Sequence, residues 1–275
     1  MSGFLEKYLK RIGFTGRLRP DLVTLEQIVR RQVLAIPFEN LDVFQGRRPA
    51  HSPAEIATKL LDHRRGGWCY ELNGLLGMAL AEVGFNVTQS AGEVTKLPLT
   101  QQPDGSHLCL VVDLDRSYLV DVGFGGSLTR PLALEDMSAE ANPYRISLRR
   151  ESAQRWCFEE RAHGKKSCFV FDAAPADENM IQERMYRLAN DADSPFIKNL
   201  VAQRRTSSEH LVLRGKILSR ISAGGVEAVE LGSVRELTQT LKYRFGIDGT
   251  ISDTDWRKIE WRQDELMRVR NDDLE

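Results

Sequence analysis

Cysteine is scarce in this chain and never clustered. The 275 residues hold four, Cys69, Cys109, Cys157 and Cys168, and no two stand in a C-x-x-C spacing. That argues against a thiolate zinc site and against a thioredoxin-type redox pair, and no metal is expected. Long apolar runs are missing too. Nothing approaches the roughly 18 residues of a membrane span, and the opening MSGFLEKYLKRIG turns charged before it can form the apolar core of a secretory signal. An excess of one charge is also absent. Lys plus Arg number 38 and Asp plus Glu 39, for a net −1 at pH 7, so neither a nucleic acid nor an acidic membrane surface is expected as partner. No internal repeat or low-complexity segment stands out. What is present is an ordinary globular composition, 41% apolar and 28% charged. Its length favours two or three packed units over a single core. The expected location is the cytosol, with reduced thiols.

The pattern changes along the chain. Residues 1–84 read as a helical bundle: FLEKYLKRIGF carries a helical apolar stripe, Thr24 and Gln27 resemble a capping box, and Ser52-Pro53-Ala54-Glu55 is a helix start running to about His63. A further helix is expected from Cys69, with Gly84 as its stop. Residues 85–175 turn to a period of two, with HLCLVVDLD and SYLVDVGF as a hairpin and three more strands behind it, and read as a β-sheet or barrel. Residues 176–205 read as a linker. Residues 206–275 read as an α/β unit of three short strands and two helices, with a frayed tail after about Val269.

Cys69 stands apart from the other three cysteines, which sit among strand-like apolar residues and read as small buried hydrophobes. In RRGGWCYELNG it opens a helix. Free N–H groups and the helix dipole at such a position favour the thiolate and suit a developing oxyanion. Gly66 and Gly67 are expected to allow a tight turn and leave room for a ligand beside the sulfur. The arrangement fits a nucleophile that forms an acyl-enzyme; a buried cysteine behind a flexible turn is the alternative.

A thiolate nucleophile needs a base and the base an orienting acid. Among five histidines, His107 lies where a polar turn enters the apolar strand of DGSHLCLVV, a rigid mount for a functional side chain. Asp121, followed by VGFGG, is an acid in an apolar strand and needs a partner. If Asp113 pairs with Ser117 across a three-residue loop, His107 and Asp121 share a face; a two- or four-residue loop puts them on opposite faces. The sequence leaves this register open.

IPFENLD, RRGGWCYELNG, the GSH entering a strand, and DVGFGG occur in an order and spacing that resemble the arylamine N-acetyltransferase family. The likeness is strongest from about Leu34 to Gly126 and thin after about Asp172. It implies an α+β, multidomain fold: an N-terminal helical bundle, a central β-barrel and a C-terminal α/β lid, with the cysteine and the His–Asp pair in different domains, as in cysteine proteases. It implies Cys69 as nucleophile, His107 as base and Asp121 as orienting acid in a two-step reaction. Acetyl-CoA, a donor rather than a tightly bound cofactor, acetylates Cys69; an aromatic amine, hydrazine or arylhydroxylamine then attacks the thioester. Phe38, Phe124 and, more weakly, Phe196 are expected as pocket walls. Gly123, Gly125 and Gly126 are expected to let backbone approach the CoA pantetheine or pyrophosphate. Glu39 and Arg64 are read as supporting residues, with a mutual ion pair as one arrangement and an exposed pair as the other. Trp68, where Phe or Tyr is more usual in the family, is expected to narrow the approach to the site. The competing reading is a cysteine hydrolase or a transglutaminase-like enzyme using the same triad. Neither the physiological acceptor nor the oligomeric state follows from the sequence.

Overall fold

The helical stripe at the N-terminus folds as expected. In the computed structural model, which describes residues 2–95 and 103–272, α1 (Gly3–Ile12) buries Leu5, Tyr8, Leu9 and Ile12 and ends at Gly13 in the left-handed region. The next helix, α2 (Leu22–Ala35), starts earlier than Thr24: Asp21 is its N-cap, its carboxylate accepting from the Thr24 N–H at 2.9 Å. Asp is as good an N-cap as Ser and better than Thr. Thr24 faces the core instead. After a two-residue strand β1 (Phe38–Glu39) and a short α3 (Leu41–Phe44), the Ser52 capping box opens α4 (Pro53–Ala57). That helix continues as a π-helical turn from Thr58 to Asp62, a local widening that helices use at constrained positions.

The fifth helix, α5 (Cys69–Val83), is apolar on almost all sides and stops at Gly84 with φ 103°. Leu72, Leu75, Leu76, Ala79 and Leu80 are fully buried, in one core with Tyr8, Ile28 and the β-strand residues Leu108, Leu110 and Val112. Burying a leucine side chain is worth about 1.5–3 kcal/mol, so this helix is held by its packing, and its first turn cannot drift relative to the strands.

Those strands form an eight-stranded antiparallel sheet from β2 (Asn86–Val94), β3 (His107–Asp113), β4 (Ser117–Val120), β5 (Leu132–Ala133), β6 (Met137–Ala141), β7 (Tyr144–Arg150), β8 (Arg155–Ala162) and β9 (Lys165–Asp172). The order is β5-β4-β3-β2-β9-β8-β7-β6. Val111 of β3 and Leu119 of β4 meet Ile146 and Leu148 of β7 in one core, which only a strongly curled sheet permits. Among the described residues β5 and β6 do not pair, so of the sheet or barrel that the period of two suggests, the strand pairing forms a curled sheet.

Helices α6 (Glu178–Asn190) and α7 (Pro195–Lys198) lead to a second sheet. It comprises β1, β10 (Val201–Arg205), β11 (His210–Arg214), β12 (Ile217–Ser222) and β13 (Gly225–Glu230), in that order. Part of the segment read as a linker is therefore strand: β10 pairs with β1 on one side and β11 on the other. Helix α8 (Val234–Thr240), prolonged by a π-helical turn to Phe245, and α9 (Asp253–Asp272) complete the chain. The tail expected beyond Val269 lies partly outside the described residues. No helix among the described residues is long and apolar enough to cross a membrane.

Candidate active site

The hairpin register left open by the sequence is Asp113 opposite Ser117, with three residues between them. His107 and Asp121 consequently share a face and meet: His107 Nε2 lies 2.6 Å from Asp121 Oδ2. Cys69 stands close enough to the same ring to favour its charged form and lines the same cavity. All three side chains are almost fully buried. Burial lowers the basicity of His107, but the charge and hydrogen bond of Asp121, with Cys69 alongside, outweigh it and push the pKa up to about 10. An imidazolium so favoured is a counter-ion for a thiolate.

Asn73, one helical turn beyond Cys69, ties the two halves of this arrangement together. Its Nδ2 donates to the Leu108 carbonyl at 2.7 Å and to Asp121 Oδ1 at 2.8 Å, and its Oδ1 accepts from the Val122 N–H at 3.0 Å. Sequence reasoning passed over Asn73. The available signal was an amide inside an apolar helix, four residues after the cysteine and so on the same helix face.

The paired glycines before Cys69 serve packing. A Cβ at Gly66 would stand 2.4 Å from the Pro37 carbonyl oxygen, and one at Gly67 would stand 2.6 Å from Glu71 Oε2. The room they leave is thus taken by the segment Pro37–Glu39 and by Glu71, correcting the expectation of space for a ligand. Glu71 Oε2 accepts from the Trp68 N–H at 3.1 Å and Glu71 Oε1 from the Ala50 N–H at 3.0 Å. Lys59, from the π-helical turn, bonds Glu71 at 2.8 Å and Asp42 at 2.7 Å. Glu39 belongs to the same buried charge network, but its partner is Arg65 at 2.7 Å, not Arg64. The expected Arg64–Glu39 pair does not form, because Arg64 adopts a left-handed backbone (φ 53°) and is exposed. Its neighbour turns inward in its place.

A cavity of about 980 Å³ opens onto the triad and is lined by Cys69, His107, Phe38, Phe124 and Phe196. Phe124 meets the His107 ring edge-on, centroids 5.7 Å apart. Trp68 is 1% exposed and packs edge-on against Phe196 at 5.7 Å. It therefore supports the aromatic wall from behind and does not narrow the approach. The three glycines of DVGFGG differ in role. Gly123 and Gly125 line the cavity, but Gly123 lies so close to Cys69 that a Cβ would stand 2.6 Å from the Cys69 Cα. Gly126, at φ 129°, abuts the His210 ring instead of the cavity. Tyr144, Glu160 and His210 also line the cavity, none of them singled out by their sequence context. Burial pushes Glu160 up to about 7, the charge of Asp121 adding to it, and pushes His210 down to about 3, with Arg205 adding to that.

A thiol at the head of a 15-residue helix, beside a buried and hydrogen-bonded His107–Asp121 pair, is an arrangement suited to acyl transfer through a thioester. The N-acetyltransferase family profile matches residues 21–253. An arylamine N-acetyltransferase of Mycolicibacterium smegmatis is 35% identical over 278 residues, covering 97% of this chain and 99% of that protein. Among solved structures, the Salmonella typhimurium arylamine N-acetyltransferase superposes with a TM-score of 0.84 at 29% identity, covering 94% of this chain and 98% of its own. That of Mycobacterium marinum in complex with CoA superposes with a TM-score of 0.82 at 31% identity, covering 95% and 98%.

Proposed function

This chain belongs to the arylamine N-acetyltransferase family of acyltransferases, and from that premise we propose that it carries acetyl from acetyl-CoA to an arylamine, hydrazine or arylhydroxylamine through an acetyl-Cys69 thioester. In the first half-reaction the Cys69 sulfur attacks the acetyl carbonyl. The bond from carbonyl carbon to CoA sulfur breaks, and CoA leaves with the proton that His107 carried. In the second, the acceptor nitrogen (or the hydroxylamine oxygen) attacks the thioester, His107 takes its proton as the new bond forms, and Cys69 leaves as thiolate. Asp121 keeps the imidazole oriented and stabilises its charged form.

The observation that carries this reading is the Cys69–His107–Asp121 line opening onto a cavity of about 980 Å³. An arylamine is largely unprotonated at neutral pH, so it attacks a thioester with no help beyond removal of its proton. Phe38, Phe124 and Phe196 offer it apolar faces and edges. Lys165 and Arg214 also line the cavity and supply positive charge for the phosphates of CoA. The test is the pattern of initial rates with acetyl-CoA and an arylamine varied together. Parallel double-reciprocal lines support the two-step route. Intersecting lines, or a Cys69→Ala variant that retains activity, would refute it.

A further inference from the structure

Behind the loop that carries Phe124 lies a second cavity, of about 290 Å³. Three arginines line it: Arg30 from α2, Arg130 from the loop before β5, and Arg205 from the end of β10. The one carboxylate among its lining residues, Glu140, is engaged by Arg145 at 3.0 Å, and Glu160, whose charge acts on Arg205, is not part of the lining. Arg205 is 5% exposed. Its Nε donates to the Gly126 carbonyl at 2.8 Å and its Nη2 to the Asn142 carbonyl, but its Nη1 has no partner. Burial lowers the pKa of Arg205, and the like charge of Arg30 lowers it further although Tyr144 and Glu160 oppose this. The hydroxyls of Thr129 and Thr206 and the apolar side chains of Leu34 and Leu128 make up much of the remaining lining.

Arg30 and Arg205 carry like charge at one concavity and repel each other, and a buried nitrogen without a partner is destabilising. An anion removes both penalties. Guanidinium forks match phosphate oxygens, and donors arriving from three elements suit a tetrahedral oxyanion better than a two-oxygen carboxylate. The volume leaves room for a small apolar body against the leucines. We infer that this cavity is a binding site for a small phosphorylated anion, separate from the cavity that holds Cys69. The two share a wall: Ser127 lines the anion cavity and Gly125 the active-site cavity, and Arg205 grips the carbonyl between them.

Calorimetric titration of the wild-type protein with inorganic phosphate, and separately with phenyl phosphate, tests this at low ionic strength. Saturable binding is expected in the millimolar range or tighter. The Arg30→Gln/Arg130→Gln double variant, with both changes at exposed positions, is expected to weaken it at least about tenfold. Its rate of Cys69 alkylation without phosphate should equal that of the wild type. Tighter binding of phenyl phosphate would identify a phosphomonoester as the ligand; equal binding would identify phosphate itself. No saturable binding by the wild type overturns the inference. So does a double variant that binds within about twofold of the wild type, because the anion would then sit elsewhere.

Discussion

A single methyl group at Gly123 should disable the site while leaving the protein folded. In Gly123→Ala the new Cβ would stand 2.6 Å from the Cys69 Cα, 2.8 Å from Asn73 Nδ2 and 3.0 Å from the Cys69 Cβ. Carbon atoms prefer to sit about 3.5–4.0 Å apart, so either the loop or the helix start must retreat by roughly 1 Å. The helix is fixed by its buried leucines. The loop is fixed to the triad itself, since the Gly123 N–H donates to Asp121 Oδ1 at 2.7 Å. Any retreat therefore pulls on the carboxylate that orients His107. Overpacking of this kind costs about 1–3 kcal/mol of stability, which a protein of ordinary stability survives at 25 °C. A displacement of about 1 Å costs on the order of a hundredfold in rate, or about 2.7 kcal/mol of transition-state stabilisation. The assay is kcat/KM for acetyl transfer together with the rate of Cys69 alkylation and a thermal melt. The reasoning fails if Gly123→Ala keeps kcat/KM within about threefold of the wild type, or if activity falls only because the protein no longer melts cooperatively.

Further outcomes follow from the same geometry. His107 has a folded-state pKa raised to about 10 from an ordinary value near 6.5. Its stabilising contribution is therefore full below about pH 6.5 and is lost as pH rises through about 10; the difference in urea unfolding free energy between wild type and His107→Gln should shrink over that window. Arg65→Ala leaves Glu39 and Asp42 without this cation and should cost about 3–5 kcal/mol, whereas Arg64→Ala should change unfolding free energy by less than about 0.5 kcal/mol; denaturant melts of the two neighbours separate them. Asn73→Ala strips partners from the Leu108 carbonyl, the Val122 N–H and Asp121, at about 1–3 kcal/mol for each buried group left unsatisfied. Both its unfolding midpoint and its kcat/KM should fall, while a Cys109→Ala control keeps kcat/KM.

Much of this arrangement was legible in the sequence, for local reasons. Cys69 heads a helix because its apolar pattern begins there and stops at Gly84, and both boundaries hold. The strands around His107 declared themselves by period, and the meeting of His107 with Asp121 waited only on the length of one turn. Long-range pairings were not legible. Nothing local distinguishes Arg65 from Arg64, because the choice depends on a left-handed residue and on a carboxylate from β1. Trp68 and the two glycines before Cys69 read as facing a ligand, since the sequence does not reveal that Phe196, Pro37 and Glu71 fill the space beside them. Strand β10 was hidden in a segment read as a linker because three of the five residues of VAQRR are polar and one of its two partners, β1, is two residues long and lies far away in the chain.

The central claim is a covalent acetyl group on Cys69, and intact-protein mass spectrometry reads it directly. Wild type and Cys69→Ala are mixed with acetyl-CoA without an acceptor, and aniline is then added. The account predicts one added acetyl on the wild type alone, discharged by the amine. A wild type that takes up no acetyl, with a Cys69 thiol no more reactive toward alkylation than the other three cysteines, would contradict it.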